Sequence, residues 1–217
     1  MSASGLTERQ LTDIHAAVEA YYTTKISRHG ATPRGVDWSC VATQELRFLQ
    51  LLEICDFTAP FSLNDVGCGY GALLAYISKR HAAANINYMG IDLSSTMIDH
   101  ARRLWRRREG IAFANTWASP RIADYSIASG VFNIKLDHPI NLWERFINAS
   151  LANIAATSRR GFAINFLAPA APGQAIEPVL YRTAPEPWIA FCTRSLNGEV
   201  EIRADYGMRE FTLLVRR

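Results

Sequence analysis

The sequence lacks any apolar run approaching the length of a membrane-spanning helix, so no membrane partner is expected. It also lacks a Cys-x-x-Cys pair. Its four cysteines, Cys40, Cys55, Cys68 and Cys192, lie far apart and read as reduced thiols, neither a disulfide frame nor a zinc site. No metal is expected. Neither sign of charge dominates: a net charge of +3 over 217 residues neither demands nor excludes a polyanionic partner. Internal repeats and low-complexity segments are absent, which excludes solenoids and linker-rich chains. Met1 to Glu8 shows no basic stretch followed by an apolar one, so no secretory signal is expected, and a cytoplasmic location follows. What remains, 49% apolar and 20% charged residues, suits one globular domain with a full-sized core.

Hydrophobic periodicity divides the chain into two parts. Thr7 to about Ser27 is predicted helical from Leu11, Ile14, Ala17/Val18 and Tyr21/Tyr22, and Cys40 to Leu52 from Leu46, Leu49 and Leu52/Ile54. The segment His29 to Asp37 between them, with its glycines and proline, reads as a loop. After Pro60, strands alternate with helices. Strands are predicted at Ser62–Val66, Ile86–Asp92, Ile111–Ala114, Tyr125–Ser129 and Gly161–Leu167. Helices are predicted at Ala72–Lys79, Ser95–Arg107 and Leu142–Ala156. Ala168 to Pro187 is Pro- and Ala-rich and reads as a long loop, followed by a helix to Leu196. Two last strands, Glu199–Arg203 and Glu210–Val215, lie too close for a crossover helix and imply an antiparallel hairpin. The expectation is an α/β chain: a doubly wound, Rossmann-like, mostly parallel seven-stranded sheet with a C-terminal antiparallel hairpin. Residues 1–58 would form an N-terminal helical cap and residues 59–217 the core, together one compact unit.

The densest signal is Leu63-Asn64-Asp65-Val66-Gly67-Cys68-Gly69-Tyr70-Gly71. An apolar strand ends in an acid, and three alternating glycines lead into a helix. Lacking Cβ, such residues turn tightly and let a ligand approach the backbone. The second strand ends in Gly90-Ile91-Asp92, an acid about 25 residues on, near the spacing of a ribose-binding carboxylate. That pair suits any adenosine cofactor. Gly67, Gly69 and Ala72 also meet the loose dinucleotide pattern. Against a dinucleotide stand three points. Asp65 would repel a pyrophosphate but suits an ammonium group; there is little room for a substrate domain; and a closing hairpin is foreign to the plain dinucleotide fold.

The run Asp65-Val66-Gly67-Cys68-Gly69-Tyr70-Gly71 followed by Gly90-Ile91-Asp92-Leu93-Ser94 resembles the first two motifs of class I S-adenosylmethionine-dependent methyltransferases. More narrowly, the chain is similar to small bacterial methyltransferases sharing Gly35-Val36-Asp37-Trp38, Gln44, Arg47-Phe48, Ser129-Gly130-Val131-Phe132-Asn133 and Glu210-Phe211-Thr212. The resemblance implies S-adenosyl-L-methionine as cofactor and S-adenosyl-L-homocysteine as product. Gly67, Cys68 and Gly69 would run beside the methionine part, with Asp65 near its ammonium. Asp92 would take the ribose hydroxyls, and Leu93 and Met97 would flank the adenine. Trp117 and Ala118 would meet the adenine edge, where the family often carries an acid. Ser129, Gly130 and Val131 would lie under the sulfonium.

Methyl transfer from a sulfonium needs alignment and dryness more than acid–base help. The catalytic residue is not fixed by the sequence; His29, Tyr22 and Asn133 are candidates. Tyr21, Lys25, Trp38, Asn133 and Lys135 are candidates for acceptor binding. The acceptor pocket is expected from the N-terminal helices, the segment after the fourth strand and the Pro/Ala-rich loop. Arg102, Arg103, Arg106, Arg107 and Arg108 read as the solvated face of a helix whose buried side is Met97, Ala101, Leu104 and Trp105, with Asp99 paired to Arg103. Cys68 reads as a small filler, and Tyr206 and Arg209 as structural. The function expected is methyl transfer to oxygen or nitrogen of a small molecule, with nucleic acid not expected. RNA or protein methylation, non-catalytic cofactor binding and nucleotide oxidoreduction stand as alternatives. Monomer and homodimer are both left open.

Overall fold

The computed structural model describes residues 5–173, 175 and 177–217. The residues before Gly5, part of the segment searched for a leader, lie outside the described residues.

A seven-stranded sheet in the order β3-β2-β1-β4-β5-β7-β6 forms the centre. Its strands are β1 (Phe61–Val66), β2 (Ile86–Asp92), β3 (Ile111–Asn115), β4 (Ala123–Ala128), β5 (Ser158–Leu167), β6 (Glu199–Arg203) and β7 (Glu210–Arg216). β1 to β5 pair in parallel, whereas β7 runs antiparallel to both β5 and β6. The strand order reverses between β1 and β4. Their C-terminal ends open a crevice there, the usual ligand position in such sheets.

The helices are α1 (Glu8–His29), α2 (Val41–Leu52), α3 (Ala72–Arg80), α4 (Ser95–Trp105), α5 (Ile140–Ala156) and α6 (Glu186–Arg194). Each sheet face has its own apolar core. On one, Trp143, Ile147, Leu151 and Ile154 of α5 meet Phe162, Ile164 and Phe166 of β5, joined by Ile14 of α1 and by Trp188 and Cys192 of α6. On the other, Phe48, Leu51 and Leu52 of α2 pack with Leu73, Leu74 and Ile77 of α3 over Leu63, Tyr88 and Ile127.

Local chemistry starts α1: Thr7 and Gln10 form a reciprocal capping box. The predicted loop after α1 holds one turn of 3-10 helix, Pro33–Val36, closed by Asp37 at φ 63°. This loop is tied back to α1, since Asp37 accepts hydrogen bonds from Tyr21 Oη (2.6 Å) and Lys25 Nζ (2.5 Å). α1 is tied in turn to α4 by Thr23 Oγ1 and Ser94 Oγ, 2.7 Å apart.

Several expectations need correction. The buried stripe of α2 is Gln44, Arg47, Phe48, Leu51 and Leu52, while Leu49 is 49% exposed. α4 ends at Trp105, before Arg107, and buries Met97, Ile98 and Ala101. Leu104 is 59% exposed. Asp99 meets Arg102, at 3.9 Å, rather than Arg103. β5 begins three residues before the predicted Gly161. The Pro/Ala-rich loop carries two isolated bridges, Ile134–Leu180 and Leu167–Arg182.

Candidate functional site

A cavity opens over the carboxyl ends of β1, β2 and β4, the position at which such sheets hold their ligands. Its floor is the glycine turn. Gly67 N–H and Cys68 N–H both donate to Ile91 O, at 2.7 and 3.0 Å, which folds the chain sharply after β1. Gly67 stands at φ +73°, and a Cβ there would lie 2.6 Å from Val131 Cγ2, so both conformation and space call for glycine. Cys68 is buried, and burial, with Asp92 and Asp65 nearby, holds its thiol well above its ordinary pKa, so it stays protonated.

Two carboxylates face the cavity. Asp65, at the end of β1, is 1% exposed and accepts the Tyr88 hydroxyl at 2.5 Å. Burial raises its pKa to about 7, against the lowering effect of the Tyr88 bond, with Asp92 adding to the rise. Asp92, at the end of β2, accepts Gly69 N–H through Oδ2 and Ser94 N–H through Oδ1, both at 2.9 Å. Burial raises it to about 6 although those backbone bonds favour the charged form. No His, Lys or Arg stands among the described lining residues. The site is therefore acidic, and a cationic ligand would restore both carboxylates to their charged state.

The N-terminal elements roof this floor. Val18 and Tyr22 of α1, Val36 and Trp38 of the following loop, and Gln44 and Phe48 of α2 all line the cavity. A Cβ on Gly69 would lie 2.8 Å from Val36 Cγ1, and one on Gly130 2.3 Å from Trp38 Cζ2. The roof thus rests directly on the ends of β1 and β4. Trp38 is held from behind by the Arg47 guanidinium, 3.8 Å from its ring centroid. Arg47 grips Glu210 through both Nε (2.7 Å) and Nη2, and Asn165 Nδ2 donates to the same carboxylate at 3.1 Å. Asn165 Oδ1 then accepts Gly130 N–H at 2.7 Å. A buried polar chain therefore joins α2, β7 and β5 to the turn after β4. It unites the distant segments around Trp38, Arg47, Gly130 and Glu210.

Of the predicted cofactor residues, Asp65, Gly67, Cys68, Gly69, Asp92, Leu93, Met97, Trp117, Ser129, Gly130 and Val131 line the cavity; Ala118 does not. Of the acceptor and catalytic candidates, Tyr22 and Trp38 line it. Burial, reinforced by Asp37, raises the Tyr22 phenol far above neutrality. Tyr21 and Lys25 are engaged by Asp37, His29 sits on the last turn of α1, and Lys135 donates to the Leu136 and His138 carbonyls. Asn133 abuts Gly130 and is not among the lining residues. No residue of the Pro/Ala-rich loop lines the cavity among those described: the loop is drawn off to α5 and α6, where Tyr181 bonds Glu144 and packs on Trp188. The sequence reading missed Phe146, Ser150 and Ile154 of α5, which line the inner end. They carry no motif, and only their helical spacing marks one face. It also missed His15, whose ring lies 5.3 Å from that of Trp117.

A family model described as a methyltransferase domain matches residues 64–151. The Mycobacterium tuberculosis (strain ATCC 25618 / H37Rv) protein named "Putative methyltransferase Rv1506c" is 38% identical over 166 residues, which span 76% of this chain and 99% of that one. The chain belongs to the methyltransferase family. Its fold is that of the class I members. It is similar to the DhpI–SAH complex, with a TM-score of 0.63 at 14% identity, over 94% of this chain and 96% of that chain. It is similar also to human N-acetylserotonin methyltransferase in complex with SAM, with a TM-score of 0.62 at 15% identity, over 98% of this chain and 60% of that chain.

Proposed function

We propose that the protein is an S-adenosylmethionine-dependent methyltransferase that delivers the methyl group to an oxygen or nitrogen of a small-molecule acceptor. The acidic floor supports this cofactor. Asp65 is a buried carboxylate with a raised pKa and no cation beside it, which suits the cofactor's ammonium. Asp92 accepts one N–H on each oxygen and keeps lone pairs for two ribose hydroxyls. Leu93, Met97, Val131 and Trp117 would hold the adenine by apolar contact, and Gly67 and Gly69 admit the methionine part against the backbone. Two Asp and no basic residue among the described lining residues disfavour a pyrophosphate. Bound there, the cofactor supplies a methyl group already activated by its sulfonium charge.

The rest is work for the protein's own side chains. The roof of Val36, Trp38 and Phe48 excludes water and presses the acceptor toward the turn after β4. Tyr22 stays protonated and acts as a hydrogen-bond donor, not as a base. With no His or Lys among the described lining residues, the attacking group is one that needs no strong base from the protein: an amine lone pair or an acidic hydroxyl. Residues 1–58 are proposed as the cap that makes the pocket selective for small acceptors. The observation that carries this reading is the direct seating of Trp38 on Gly130, which leaves no room there for even one further carbon. Incubation with methyl-labelled cofactor and a low-mass metabolite extract tests it. Label should appear in a low-mass product. Label found in RNA or protein, with none in small molecules, would refute it.

A further inference from the structure

The strand β6 ends the sheet, hydrogen-bonded to β7 on one side. The alternation of the ladders shows which of its backbone groups face outward. At the two ends of the β5–β7 pairing, Arg217 N–H donates to Arg160 O and Ala168 N–H donates to Arg209 O, each continuing that register. Hydrogen-bonded and non-hydrogen-bonded pairs alternate along an antiparallel ladder. Phe211, Leu213 and Val215 of β7 therefore bond to β5, and Thr212, Leu214 and Arg216 bond to β6. Their partners in β6 are Arg203, Glu201 and Glu199. The N–H and C=O groups of Val200 and Ile202 point away from the sheet, a template on which another strand can pair.

The side chains of β6 suit one occupant, a second copy of the same strand. Charges on an edge strand keep foreign apolar strands away, yet in the order Glu199-Val200-Glu201-Ile202-Arg203 they match an antiparallel copy of themselves. Centred on Glu201, that pairing sets Glu199 opposite Arg203 of the second copy, a favourable cross-strand charge pair. It sets Val200 opposite Ile202 of the second copy, so every outward N–H of these residues meets an outward C=O. A slip of two residues in either direction leaves half of those groups unmet within the strand. The two Glu201 side chains face each other at the centre, and each brings a counter-charge. Arg203 Nη1 donates to Glu201 Oε1 at 2.6 Å, while its Nε donates to Glu53 Oε2 at 2.7 Å. Apolar surface flanks the edge as well. Ile202 is 39% exposed on one face, and Leu49, one helical turn before Glu53, is 49% exposed on the other.

We propose that the protein pairs with a second copy of itself through β6, antiparallel and centred on Glu201, joining two seven-stranded sheets into one. Main-chain hydrogen bonds hold the pair, and the Glu199–Arg203 contacts set its register. β5 and β7 separate this edge from the cavity over β1, β2 and β4, which stays open in the dimer.

Disulfide trapping in a Cys40→Ser background, which removes the exposed native thiol, tests the pairing. At Glu201 the two chains meet as a non-hydrogen-bonded pair, with Cα atoms about 4.5 Å apart, within reach of a disulfide. Glu201→Cys should give a disulfide-linked dimer under mild oxidation. Ile202→Cys, which faces Val200 of the second copy and not itself, should stay unlinked. Sedimentation velocity should show the mass of the wild type doubling as its concentration rises. Ile202→Pro removes an outward donor and no bond within the chain. It should weaken the dimer at least roughly tenfold, the worth of about one net hydrogen bond, and melt close to the wild type. A wild type that stays monomeric up to its solubility limit overturns the proposal and leaves the edge to a foreign strand. Cross-linking of Ile202→Cys as fast as Glu201→Cys, or a dimer that Ile202→Pro leaves intact, overturns it too.

Discussion

Arg47 and Glu210 lie 163 residues apart, yet the guanidinium of one closes on the carboxylate of the other inside the fold, with side chains only 8% and 3% exposed. The pair fixes α2 to β7, and through Asn165 it reaches the Gly130 amide that closes the cavity wall. A forked guanidinium–carboxylate contact of this kind adds orientation as well as attraction. Breaking it from one side leaves a buried charge unpaired. Glu210→Ala and Arg47→Ala should each cost about 3–5 kcal/mol in urea unfolding, whereas Arg47→Met with Glu210→Leu should cost much less. A Glu210→Ala protein as stable as the wild type would contradict the role given to this pair.

The seating of Trp38 on Gly130 makes a second prediction. Gly130 is at φ +71°, and a Cβ there would lie 2.3 Å from the indole. Gly130→Ala should therefore destabilise the protein and push Trp38 outward, read as a shift in tryptophan fluorescence. Adding Trp38→Ala should recover the steric part of the loss but not the part due to the positive φ. No recovery would show that the contact is not what requires glycine, and full recovery would show that the positive φ costs nothing.

The Asp92 carboxylate gives a third. Asp92→Ala removes the acceptor of the Gly69 and Ser94 N–H groups as well as the group proposed to hold the ribose. Affinity for S-adenosylhomocysteine, measured by calorimetry, should fall at least roughly tenfold, the worth of one strong hydrogen bond to a charged group. Asp92→Asn, which keeps only one acceptor oxygen, should fall between the two.

pH separates the binding role of Asp65 from its structural one. Its pKa is raised from 3.8 to about 7 in the folded protein, so the folded state binds an extra proton between about pH 4 and 7. The stability this group contributes is fully present below about pH 4 and is lost as pH rises through 7. Ligand binding has the opposite sign. A cationic ammonium favours the charged carboxylate, so affinity for S-adenosylhomocysteine should rise from pH 5.5 toward 7.5 and then level, with proton release on binding. Asp92, raised to about 6, adds to the lower part of that rise. Asp65→Asn should flatten both profiles. Matching slopes in Asp65→Asn and the wild type would show that another group is responsible.

Much of this architecture was legible in the residues, because its signals are local. The strand–glycine–helix passage at Leu63–Gly71 and the acid closing β2 are each contained within a few positions. So is the shortness of the turn that makes β6 and β7 a hairpin. What escaped depends on contacts distant in the chain. The apolar period of α2 points to Leu49, yet the helix buries Gln44 and Arg47, since Glu210 supplies the charge that lets Arg47 go inside. Leu104 continues the apolar stripe of α4, but the helix ends one residue later with nothing there to cover it. The Pro/Ala-rich loop has the composition of a pocket wall and instead packs away from the cavity. Phe146, Ser150 and Ile154 look like any core helix face, and only the sheet's reversal at β1 and β4 brings them to the cavity.

The central claim, that the acidic glycine-turn cavity is built for a methionine-bearing nucleoside, meets its most direct test in calorimetry of the wild-type protein with S-adenosylhomocysteine and with NAD side by side. The account predicts saturable heat with S-adenosylhomocysteine, lost or much reduced in Asp65→Asn and Asp92→Ala, and none with NAD. Saturable heat with NAD alone would contradict it.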